Sequence, residues 1–157
     1  MTELYKALTI DDNNLVEGYL VKKIDPLLNI NYYFILKQEY ITDQYGLTRP
    51  ILTSEVKWYK VHPESIMRYT GFDINNDKVY EGDIIKVFPS NRLMYVIWNE
   101  ETLSWELVDV GTKINEINHL INCISLGELN IEAVTENEFK SKIIGNIYYN
   151  NIFENKT

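Results

Sequence analysis

Turn-forming clusters recur at short intervals along this chain, and between them lie stretches rich in β-branched and aromatic residues. The clusters include Asp11-Asp12-Asn13-Asn14, Asp25-Pro26, Asp73-Ile74-Asn75-Asn76-Asp77, Gly82-Asp83, Pro89-Ser90-Asn91 and Asn99-Glu100-Glu101-Thr102. Asp and Asn side chains hydrogen-bond their own backbone and tolerate left-handed conformations, glycine tolerates them at no steric cost, and proline cannot continue a ladder. Strand after strand with short connections is antiparallel logic. Composition agrees, because Ile and Tyr are abundant while alanine occurs only at Ala7 and Ala133. Such side chains fill a pleated surface better than a helix.

The pattern predicts strands over 4–9, 16–24, 32–37, 57–62, 65–70, 78–80, 84–88, 93–98, 104–110 and 142–149. In Lys57-Trp58-Tyr59-Lys60-Val61-His62, alternation places Trp58, Lys60 and His62 on one face and Tyr59 and Val61 on the other. Both faces of 93–98 are apolar, as expected of a central strand. Residues 40–53, broken by Gly46 and Pro50, read as an extended loop. Ile114, Ile117, Ile121 and Ile124 recur at three and four residues and predict one short amphipathic helix that Gly127 stops. Residues 136–140 form at most one further helical turn. The fold class is therefore mainly β, antiparallel, with at most one or two short helices.

At 157 residues the size prior favours a single domain spanning 1–157, or two β lobes, 1–63 and 64–157, sharing a core. The longest apolar run, Tyr32-Tyr33-Phe34-Ile35-Leu36, falls far short of the roughly 20 residues that span a bilayer. The start, Met1-Thr2-Glu3-Leu4-Tyr5-Lys6, lacks the features of a signal peptide, so the expected compartment is the cytoplasm. Cys123 is the sole cysteine. It rules out an intrachain disulfide and a multi-thiolate metal site, and its apolar setting suits a buried thiol.

A formal net charge of −8 repels phosphate backbones unless cations are segregated. Lys22-Lys23 and the Lys57/Lys60 pair are the basic clusters near aromatics, and each reads as a solvated strand edge. His62 and His119 belong to no metal-spaced cluster, and no phosphate loop, nucleophile elbow or dinucleotide fingerprint is present. The chain is expected to have no catalytic residues, no metal and no cofactor.

The phrase Tyr69-Thr70-Gly71-Phe72-Asp73, then Tyr80-Glu81-Gly82-Asp83-Ile84, and Ile144-Gly145-Asn146-Ile147-Tyr148 near the end resemble, in order and spacing, the YopX-like family of bacteriophage and prophage proteins. That resemblance implies a β-rich fold with a small SH3-like barrel, self-assembly into a homo-oligomer, and no enzymatic activity. Read from chemistry alone, Gly82 allows a positive φ at a turn and the Asp83 carboxylate accepts backbone N–H groups. Tyr69 and Tyr80 are placed to pack across a hairpin. Tyr69, Gly71, Tyr80, Gly82, Asp83, Gly145 and Asn146 are thus expected to be structural. A second string, Glu17-Gly18-Tyr19-Leu20-Val21-Lys22, parallels Glu81-Gly82-Asp83-Ile84-Ile85-Lys86 without establishing a duplication.

What remains is an accessory protein acting through protein contacts, by host modulation or self-assembly, with Tyr40, Tyr45, Trp58 and Tyr59 as candidate contacts. The partner would be a host protein or a second copy, with no membrane involved. The alternative is a nucleic-acid-binding accessory protein that stacks bases on aromatics such as Tyr32, Tyr33, Trp58, Tyr59 and Trp98, against an unfavourable overall charge.

Overall fold

The computed structural model describes residues 3–39, 55–88, 90–111, 124–126 and 141–148. The chain is mainly antiparallel β and divides into two compact units, Met1–Arg68 and Tyr69–Thr157. No helix of the described residues is long and apolar enough to cross a membrane.

The first unit contains β1 (Tyr5–Leu8), β2 (Leu15–Asp25), β3 (Ile30–Glu39) and β4 (Glu55–Lys60) in the sheet order β4-β3-β2-β1. Between β1 and β2, the Asp12 carboxylate accepts from the Thr9 hydroxyl and from the backbone and side chain of Asn14. The Thr9 hydroxyl bond, first among these, holds the Asp12 carboxyl below the usual carboxylate range. A 3₁₀ turn at Pro63–Ser65 follows β4, and the Ser65 hydroxyl accepts the Leu8 N–H while donating to the His62 carbonyl.

Strand β2 changes neighbour midway. Its first residues, to Gly18, pair with β1, and from Tyr19 onward it pairs with β3. A Cβ on Gly18 would overlap the Leu36 carbonyl oxygen and lie 2.9 Å from Ile35 Cγ2. Glycine is therefore required by close backbone approach. Ala7, Val16, Ile35 and Val61 form the buried cluster of this unit, with Tyr5, Leu20, Tyr33, Tyr59 and Ile66 packed against it.

The second unit holds the hairpin between β5 (Met67–Ile74, from Tyr69 onward) and β6 (Asp77–Tyr80), then a sheet in the order β10-β9-β8-β7-β11. These strands are β7 (Asp83–Val87), β8 (Arg92–Asn99), β9 (Ser104–Asp109), β10 (Ile124–Ser125) and β11 (Lys142–Asn146). Asn75 and Asn76, at φ 53° and 68°, form the two-residue turn of the first hairpin; positive φ at both positions matches the twist of the flanking strands. Gly71, at φ 85°, sits where the β5–β6 register shifts between Tyr69 and Asp73. β8 is central, as its two apolar faces predict. Ile74, Val79, Ile85, Val87, Met94, Val96, Leu107 and Leu126 build the core.

One expectation changes, and one is not confirmed. The helix read over 114–124 gives way at its end to β10, where Ile124 pairs with Leu107 and Ser125 with Glu106. A β-branched residue beside a sheet edge gains more from a ladder than from the last turn of a helix. The rest of that segment lies outside the described residues, as do Cys123, His119, the 40–53 loop and 136–140. The SH3-like barrel implied by the resemblance is not closed by ladders among the described residues. Beyond β4, β1 pairs through Tyr5 with Arg68 and through Lys6 with Met67, and just after β1 a Thr9–Val61 bridge is flanked by the Ile10 N–H to Lys60 carbonyl and His62 N–H to Leu8 carbonyl bonds.

Candidate interaction surface

Directly opposed residues of antiparallel strands share a face, and successive residues alternate. Registers Tyr19–Leu36–Trp58, Val21–Phe34–Lys60 and Lys23–Tyr32 therefore place these side chains together on one face of β2–β3–β4. The opposite face carries Leu20, Tyr33, Ile35 and Tyr59 into the core cluster. Trp58 is 48% exposed, whereas Tyr59 turns inward. Of the four candidate contacts, Trp58 lies on this outer face and Tyr59 supports the core beneath it; Tyr40 and Tyr45 lie outside the described residues.

Cations ride on the rings. Lys23 Nζ is 4.3 Å from the Trp58 ring centre and 5.6 Å from that of Phe34, and these two rings meet edge to face at 5.8 Å. Lys60 Nζ sits 4.4 Å from the Tyr32 ring centre. On the other side of the sheet, Lys22 lies 5.9 Å from Tyr33. Each such contact contributes on the order of 0.5–1 kcal/mol at an exposed site, and it fixes the ammonium groups against the sheet. At Lys22 and Lys23, read from sequence as a solvated strand edge, β2 is paired with β3 on one side only among the described residues.

The β2–β3 turn completes the surface. Asp25 Oδ1 accepts the Leu27 and Leu28 N–H groups at 2.9 and 3.1 Å, and Asn29 takes φ 51°. An Asx turn of this kind fixes the loop. It presents Leu27, 93% exposed, beside exposed Ile24, Leu28 and Ile30. Sequence reasoning missed this apolar tip; the signal was Leu27-Leu28 within a turn, where polar residues are usual.

The polar motif has other employment. Asp83 Oδ2 accepts the Tyr80 N–H at 2.7 Å, and Asp83 Oδ1 accepts Asn146 Nδ2–H at 2.8 Å. The same Asn146 amide donates to the Glu81 carbonyl at 3.1 Å, and its Oδ1 accepts the Tyr148 N–H at 2.8 Å. Gly82, at φ 81°, donates to the Val96 carbonyl and accepts from Ile147 N–H; a Cβ there would run into the Tyr148 ring. Tyr69 and Tyr80 are register partners with ring centres 5.6 Å apart. Gly145 enters where the β7–β11 register shifts. These residues clasp the 80–84 and 144–148 phrases together within the second unit.

Burial raises the Tyr148 hydroxyl above the ordinary value of 10.0, with smaller upward contributions from Glu81 and Tyr95. The folded chain thus holds this proton more tightly than the unfolded chain. The contribution is fully present below about pH 10 and is lost as pH rises through the folded value. In urea titrations across alkaline pH, Tyr148→Phe should lose stability less steeply than the parent; parallel curves would contradict this.

Among the described residues, no group of three or more His, Cys, Asp or Glu side chains is placed to hold a metal ion. The model of a family described as YopX protein matches residues 28–152. No curated protein and no solved structure matches the chain.

Proposed function

The chain belongs to the YopX family, and from that premise we propose that it is a non-catalytic accessory protein of bacteriophages and prophages, acting in the host cytoplasm through protein contacts. The observation that carries this reading is the outer face of β2–β3–β4. Trp58, Tyr19 and Val56 stay exposed there beside a rigid aliphatic tip. Large exposed aromatics on a stiff sheet are anchors that lose little conformational entropy when a partner covers them.

Affinity capture from lysogenic cells with the parent chain and with Trp58→Ala tests it. A protein retained by the parent should be held roughly tenfold more weakly by the variant. Retention unchanged by the substitution would sink the assignment to this face. Sedimentation of the purified chain separates the two forms of contact, a second copy giving concentration-dependent mass and a host partner none.

A second reading, single-stranded nucleic acid, is favoured by one observation: the strand pairing brings Lys23 and Lys60 together beside Tyr32, Phe34 and Trp58 on one face. Cations with stackable rings are the components of such a groove. A gel shift that weakens steeply with salt would support it.

A further inference from the structure

Strand β2 runs on beyond its first neighbour. β1 begins at Tyr5, opposite Gly18, and among the described residues no strand takes its place beside residues 19–25. Residues of an antiparallel strand alternate between turning both backbone groups to one neighbour and turning both away. Bonds on either side fix that phase. The Val61 N–H donates to the Tyr33 carbonyl at 3.0 Å on the β4 side of β3, so Tyr33 turns its backbone away from β2, and its partner Lys22 turns away in return. The Thr9 N–H donates to the Asn14 carbonyl at 2.9 Å, which sets the even-numbered residues of β2 toward the β1 side. Leu20, Lys22 and Ile24 therefore aim their N–H and C=O groups at the open side, while Tyr19, Val21, Lys23 and Asp25 hold β3.

We infer that this edge takes an extended strand of a partner protein, which adds to the sheet with a carboxylate opposite Lys22 and aliphatic residues opposite Leu20 and Ile24. The inference rests on the protein-contact reading above and gives the partner's form. Backbone groups without a ladder are a template for another strand, main-chain bonds supplying affinity and alternate side chains selectivity. Leu20, Lys22 and Ile24 share one face, and that row carries no carboxylate of its own: their β3 partners are Ile35, Tyr33 and Asn31. Lys22 is exposed, with Nζ 5.9 Å from the Tyr33 ring centre. Its position also works against a second copy. Centred on Lys22, an antiparallel copy would use every open group and set Lys22 against its own counterpart; centred on Lys23, it would oppose that residue to itself. Centred on Val21 or Leu20, it would drive the far end of the hairpin into β1, which already holds Gly18. Centred on Ile24, it would set Lys22 against Pro26, which has no N–H to give. A lysine in the middle of an open edge is a guard against self-pairing, and a strand that carries an acid at that place turns the guard into a contact.

The test uses the full chain and a short labelled peptide of alternating Thr and Val, with Glu in place of the central Val. In the free chain the Leu20, Lys22 and Ile24 amides should exchange with solvent deuterium far faster than those of Val21 and Lys23, which bond to β3, and saturating peptide should slow the first set roughly tenfold or more. Slow exchange of those amides in the free chain, or exchange that the peptide leaves unchanged, overturns the edge site while the outer-face reading, tested at Trp58, stands. Methylating the backbone nitrogens of the peptide's Val and Glu residues should abolish binding; binding that survives overturns strand addition. Fluorescence anisotropy reads the selectivity: Lys22→Glu should weaken the Glu peptide about fivefold and prefer the same peptide with Lys at its centre. Position 22 is exposed, so the variant is expected to fold, which unchanged circular dichroism checks. Affinities that do not reverse overturn the role of Lys22. Protection of the same amides on concentrating the parent chain alone overturns the choice of a partner over a second copy.

Discussion

Gly18→Ala is expected to lower the unfolding free energy by about 3 kcal/mol or more, the largest effect of any single methyl group in the first unit. The obstacle is the Leu36 carbonyl, a backbone atom, with Ile35 Cγ2 at 2.9 Å behind it. A flexible side chain can swing away from an added methyl. A carbonyl held in a ladder can move only if β3 moves, and β3 carries Ile35 of the buried cluster and Tyr32, Phe34 and Leu36 of the outer face. The same substitution at Gly111 meets nothing within 4 Å and should change stability by less than about 0.5 kcal/mol. Urea denaturation of both variants, followed at Trp58 with Trp98 and Trp105 replaced by Phe, reports the first unit. Similar midpoints for the two variants would show that β3 does not press on Gly18.

That glycine also shows what sequence can carry and what it cannot. Glu17-Gly18 and Glu81-Gly82 read alike, each opening a run of alternating residues. In the fold, Gly82 supplies a positive φ at a turn, whereas Gly18 lies inside β2 and supplies only the absence of a side chain. Local chemistry announces the first role, because a turn is made by neighbours. The second depends on a strand many residues away. The same division holds elsewhere. The Asn75-Asn76 turn, the edge-to-centre position of β8 and the opposed faces of Trp58 and Tyr59 follow from short-range pattern. Which of Trp58 and Tyr59 turns inward is decided by Ala7, Val16, Ile35 and Val61, drawn from four separate segments. Lys22-Lys23 and Lys57/Lys60 looked like two minor clusters for the same reason: only the β2–β3–β4 registers place them on one sheet. The isoleucine spacing over 114–124 satisfied a helix locally, and the edge of β9 claimed Ile124 instead.

Asn146→Ala should destabilise the second unit by about 3 kcal/mol, because three hydrogen bonds end on one side chain that is 1% exposed. Asp83, itself 7% exposed, would keep its bond to the Tyr80 N–H and lose the amide that faces its other oxygen. A buried carboxylate deprived of a donor costs more than the net worth of the bond. The two residues are also Cα partners in the β7–β11 ladder, although 63 positions separate them. Their removal should therefore be strongly non-additive: Asp83→Ala with Asn146→Ala should cost less than the two single losses together, by about 1–2 kcal/mol. Urea unfolding followed at the Trp98–Trp105 pair, whose rings lie 5.1 Å apart in the same sheet, closes the cycle. Additive losses would mean that Asn146 serves the Glu81 carbonyl and Tyr148 N–H and that Asp83 does not need it. Coupling of the expected size would explain why the Tyr-Glu-Gly-Asp and Ile-Gly-Asn-Ile-Tyr phrases occur together in one chain: each supplies the polar groups that the other buries.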